Sequence, residues 1–73
     1  MKAQKDQDLA DKLNQLIILT ASQAVSGMET TREKAIFLAK LGLDRNQIAL
    51  ACNSTPGSIS VEISNAKRKG LLK

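Results

Sequence analysis

Histidine, tryptophan and tyrosine are absent from this 73-residue chain, which holds one phenylalanine, one cysteine and one proline. With no histidine, and with Cys52 as the single thiol, a zinc site and an internal disulfide are both excluded from the expected fold. Nucleophilic catalysis needs a Ser or Cys beside a base, and general acid–base work draws on His or on a carboxylate pair in a cleft. Neither arrangement is visible. The carboxylates gather at expected helix starts, where capping accounts for them, and Cys52 falls in an apolar slot that suits a buried, inert thiol. No glycine-rich phosphate loop is present either: Gly27, Gly42 and Gly70 read as helix stops and Gly57 stands alone. The chain therefore reads as a non-enzyme without metal or cofactor. Its longest apolar run near the start, Leu16 to Leu19, is too short to span a membrane or to act as a signal peptide. A cytoplasmic protein with no membrane partner is the expectation.

What is present is helical periodicity with short interruptions, which predicts an all-α fold: one compact four-helix domain over residues 1–73, with a long N-terminal amphipathic helix. Residues 1–7 are polar and are expected to fray. A long helix follows over 8–26, on which Leu9, Leu13, Leu16, Ile17, Thr20 and Ala24 form one stripe. Ile18 lies opposite the centre of that stripe and Leu19 on its flank, so both are apolar surface beyond the need of one core. A domain of this size is close to the limit at which a lone core suffices, and a homodimer formed through Leu9, Leu13, Leu16, Ile17, Ile18 and Leu19 is the expected use of the surplus. The next helix, 31–41, opens on a capping box of Thr30 and Glu33. It runs through Ala35, Ile36, Phe37, Leu38, Ala39 and Leu41, apolar nearly all round, which predicts a buried centre with Phe37 as its anchor. Gly42 ends it, and Leu43 tucks beneath.

The stretch 44–69 carries the functional signal. Asp44 and Gln47 form a further capping box, and Ile48, Ala49 and Cys52 share an apolar side. Asn53 stands where the chain must turn, and it tolerates left-handed backbone angles. Thr55 then caps a second helix with Pro56 in its first turn, and Ile59, Ile63 and Ala66 face inward. The order Asp44, Gln47, Ile48, Ala49, Cys52, Asn53, Thr55, Ser58, Ile59, Ile63, Ser64, Ala66, Lys67, Arg68 resembles the helix-turn-helix of sigma-factor region four and of related response-regulator output domains. Asn53 replaces the usual turn glycine, and Glu62 and Asn65 stand where those families often carry a basic residue.

The resemblance implies double-stranded DNA as partner, with the 55–69 helix in the major groove. Charge agrees: residues 1–28 are neutral, 29–53 carry +1 and 54–73 carry +3. Thr55 and the helix N-terminus at Gly57 would hold a phosphate. Ser58, Ser60, Val61, Ser64 and Asn65 would meet base edges, since Asn can pair with adenine, Ser can donate or accept, and Val can touch a thymine methyl. Lys67, Arg68, Lys69 and Arg45 would supply phosphate attraction. The expected protein is a small dimeric transcription regulator or a sigma-like promoter-recognition domain. The alternative is an interaction module that docks on RNA polymerase or another regulator without binding DNA, with Glu62 as a sign of lost contact.

Overall fold

The computed structural model describes residues 2–72, with side chains from Gln7 onward. Four helices carry the described chain: α1 (Lys2–Ala24), α2 (Thr31–Lys40), α3 (Arg45–Ala51) and α4 (Pro56–Arg68), with no strand among the described residues. The all-α expectation holds. α1 starts at Lys2, six residues ahead of the expected Asp8, so the segment expected to fray is helical from Lys2; Met1, like Lys73, lies outside the described residues.

The helix boundaries follow from local chemistry. Thr30 accepts the Glu33 N–H at 3.1 Å, which satisfies one of the free donors of the first turn of α2. Asp44 and Gln47 form both bonds of the capping box, at 2.8 and 3.0 Å. Thr55 accepts the Ser58 N–H at 3.1 Å, with Pro56 as first residue of α4. Three helices also end alike, each on a residue of positive φ: Gly42 at 94°, Asn53 at 55° and Gly70 at 79°. Beyond each, the following N–H reaches back to a helix carbonyl, Leu43 to Leu38, Ser54 to Ala49 and Leu71 to Ala66, which is the Schellman arrangement. Gly27 differs from its expected role. α1 ends at Ala24, the turn is closed by bonds from Ser26 to Gln23 and from Met28 to Val25, and Gly27 does not take a positive φ.

The core is built from Ala21, Val25, Ala35, Leu38, Ile48, Ala49, Ala51 and Ile59, with Ile18, Met28, Ala39, Leu43, Cys52 and Ile63 packed on its edge. Ala66 is also buried. α2 lies against α4, and α3 touches each of the other three helices. Two expectations are corrected. Phe37 is 37% exposed and Leu41 61% exposed, so α2 is not the fully buried helix that its apolar run predicts; Ala35 and Leu38 alone face inward completely. The larger correction concerns α1. The predicted stripe is intact but faces solvent, with Leu9, Leu13 and Leu16 each more than half exposed, whereas Ile18, expected on the far side, packs against the core with Ala21 and Val25. The physical reason is position along the helix. Leu9 and Leu13 precede the part of α1 that meets the body, and in that part the bulkier apolar groups, Ile18 and Val25, lie on the inner side, where Asn14 accepts a 2.8 Å bond from the Gln47 amide.

Candidate nucleic-acid interface

α4 is held on its inner side by Ile59 and Ala66, both buried, with Ile63 beside them. At about 100° per residue this turns Gly57, Val61, Ser64 and Arg68 to the opposite side. All four are exposed, and Val61 at 58% is the one apolar group among them. Gly57 has open space around it, so the backbone of the first turn can be approached directly. The outer face is therefore a ridge of small and polar groups, flanked by half-buried Asn65 and ending in exposed Lys67, Arg68 and Lys69. Two of these cations lie in the last turn and Lys69 is the C-cap residue.

Several expected contact residues already have partners. The Thr55 hydroxyl accepts the Ser58 N–H and donates to Ser58 Oγ at 3.0 Å. Pro56 has no N–H and that of Ser58 is taken, so Gly57 carries the N–H left free in the first turn to meet an anion. Arg45 and Ser60, expected to contact a phosphate and a base edge, also bond each other: Arg45 Nη1 donates to Ser60 Oγ at 3.2 Å and ties the start of α3 to α4. Ser60 is half-buried and lies off the outer ridge.

The first turn of α2, invisible to motif reading, joins this surface. Thr31, Ser54, Ser58, Val61 and Glu62 line an open concavity of about 400 Å³ beside the outer ridge of α4. Arg32 Nε lies 3.7 Å from Glu62 Oε2, so the carboxylate is turned toward α2 and paired, with its side chain 22% exposed. Thr31 and Arg32 carry no local signal that links them to α4, because the link is a tertiary one across about thirty residues. Cys52 sits at the edge of the core, and burial pushes its thiol above its ordinary pKa against the smaller, opposite pull of Lys34.

Of the residues expected at a dimer contact, Leu9, Leu13, Leu16, Ile17 and Leu19 are exposed, and Ile18 is withdrawn into the subunit's own packing. Among the described residues no helix is long and apolar enough to cross a membrane. In comparison with known proteins, no family model matches the chain, and neither curated proteins nor solved structures give a match.

Proposed function

We propose that the chain binds double-stranded DNA as a cytoplasmic homodimer, using α3 and α4 as a helix-turn-helix whose second helix enters the major groove. It would act as a small transcription regulator or as a promoter-recognition domain like sigma region four, without catalysis. The observation that carries this reading is the outer ridge of α4. Gly57, Val61, Ser64 and Arg68 stand exposed on a helix fixed from behind by Ile59 and Ala66, with the basic turn at its end. A ridge free of bulk fits a groove about 12 Å wide, and Val61 with Ser64 offers a methyl contact and a hydroxyl to base edges. Asn65 adds an amide at the flank. Arg68, Lys67 and Lys69 give the phosphate attraction, while Arg45 serves first to brace α4 through Ser60.

The pairing of Glu62 with Arg32 favours DNA binding over a docking module. A carboxylate on the outer ridge would repel phosphates; one turned to α2 and paired there with Arg32 does so far less. RNA polymerase remains a further partner for a promoter-recognition role.

The test is binding to mixed-sequence duplex DNA across a salt series, beside light scattering. Micromolar affinity that falls steeply with salt is expected, from a species of twice the chain mass. The double variant Lys67→Glu, Arg68→Glu should lose this binding at moderate salt, and removing either cation should lower the salt slope by about one. Absence of binding at low salt would rule the DNA reading out.

A further inference from the structure

α1 contains 23 residues and so is about 34 Å long, but only its second half is fixed to the body. Every residue from Gln7 to Ile17 is exposed, and the inward contacts begin with Asn14 and Ile18. The first half thus projects from the domain with Leu9 and Leu13 uncovered, at 59% and 51% exposure. A helix of that length with one bare apolar stripe is marginal in water unless something packs on it. Further along, the same stripe becomes concave. Leu16, Ile17, Thr20 and Ala24 on α1 face Leu41 and Leu43 beyond α2, enclosing a nearly wholly apolar groove of about 330 Å³. One half of α1 offers two protruding leucines, and the other half offers a hollow floored by threonine and alanine.

We infer that the occupant of this groove is the projecting half of α1 from a second copy, so that two chains pair with their α1 helices antiparallel. The inference rests on the dimer proposed above and specifies its geometry. A two-fold axis near Leu16 and Ile17 sets Leu13 opposite the partner's Thr20 and Leu9 opposite the partner's Ala24, large against small in both directions. The stripe Leu9, Leu13, Leu16, Thr20 steps by four, three and four residues, the spacing of a helix–helix seam. Ala10, Ile17 and Ala24, seven apart, run along the groove side of that seam and permit close approach. A parallel pair would match naked half with naked half and leave both Leu41–Leu43 hollows open. The antiparallel pair covers Leu41 as well, which is otherwise 61% exposed. The exposed surface of Leu9, Leu13, Leu16, Ile17 and Leu41, at 59, 51, 58, 43 and 61%, comes over both copies to on the order of 1,000 Å², so a seam that covers it fully reaches the size at which specific interfaces begin. The contact is isologous and closes on itself, as a two-fold dimer requires.

Cysteine cross-linking in a Cys52→Ser background separates the two orientations. Leu13→Cys and Thr20→Cys chains, mixed and oxidised, should give mainly the mixed disulfide, which mass spectrometry distinguishes from the two self-linked products. Leu41→Glu, outside α1, should weaken association at least tenfold by light scattering while leaving helicity unchanged. Self-linked products together with an unaffected Leu41→Glu dimer would overturn the antiparallel arrangement and leave the dimer standing. Monomeric mass at every concentration would overturn the pairing itself, and DNA titration of the same sample would show whether the DNA reading survives without it.

Discussion

Ile18 and Leu13 lie on opposite sides of α1, and shortening each to alanine should affect folding in the reverse of the order that the leucine stripe suggests. Ile18 packs at the edge of the core beside Ala21 and Val25. Full burial would make its loss cost about 2–5 kcal/mol, and half-burial places it at the low end, near 2 kcal/mol. For a domain of this size that corresponds to a fall in Tm of about 8–16 °C. Leu13 touches none of the core residues, so Leu13→Ala in the monomer should stay within about 0.5 kcal/mol of the parent, helped by the better helix propensity of alanine. Guanidinium unfolding followed by circular dichroism, at a concentration where light scattering gives the mass of one chain, measures both. Raising the concentration should then reveal a cost for Leu13→Ala, because lost pairing removes the mass-action contribution to stability. If Leu13→Ala cost as much as Ile18→Ala in the monomer, the inner and outer sides of α1 would be exchanged and the account of the core would be wrong.

The cap of α4 should be measurable in the same way: Thr55→Ala loses the bond from Ser58 N–H and about 1 kcal/mol, Thr55→Ser keeps most of it, and equal stability of all three forms would contradict the cap. Asn53 at φ 55° gives a sharper contrast, since Asn53→Ala should cost about 1–2 kcal/mol whereas Asn53→Gly is neutral or stabilising. The Cys52 thiol, raised by burial, binds its proton more tightly when folded. Its contribution is complete below the unfolded value of about 8.5 and is lost as pH rises from there through the higher folded value, so between the two values stability should fall more steeply for the parent than for Cys52→Ser. A parallel pH dependence would show the thiol to be solvated, and fast native-state reaction with a thiol reagent would show the same.

Glu62 illustrates how a residue's meaning changes with its neighbours. In the sequence it is an acid in a helix expected to meet phosphates, and so an argument for lost DNA contact. In the fold it stands on the α2-facing side of α4, 3.7 Å from Arg32, so its charge is offset there and is turned away from the outer ridge. The pair is partly exposed, so it adds little to stability; its consequence is orientation. Arg45 changes in the other direction. Read from the sequence as a phosphate contact, it spends one guanidinium donor on Ser60 in the fold, which ties the start of α3 to α4.

These reversals have a common physical origin. The features legible in the sequence are those whose causes lie within about four residues: the Asp44–Gln47 box, Thr55 with Pro56, the left-handed Asn53 and the inward set Ile59, Ile63 and Ala66. The caps and the turn are fixed by backbone geometry within the residue's own reach, and the inward set by helical periodicity. The features not legible depend on which surfaces meet. α1 has apolar residues on two opposite sides, and counting leucines favours the outer one. Packing instead selected Ile18, Ala21 and Val25, because the part of α1 that meets the body is its second half, where the leucine stripe has given way to Thr20 and Ala24 and the bulkier apolar groups lie on the inner side. Once that side is taken, the leucine stripe is left in water on a helix that projects beyond its own domain. The exposure of Leu9, Leu13 and Leu16 is thus a direct result of how the monomer packs, and the proposed pairing of two copies rests on that exposure.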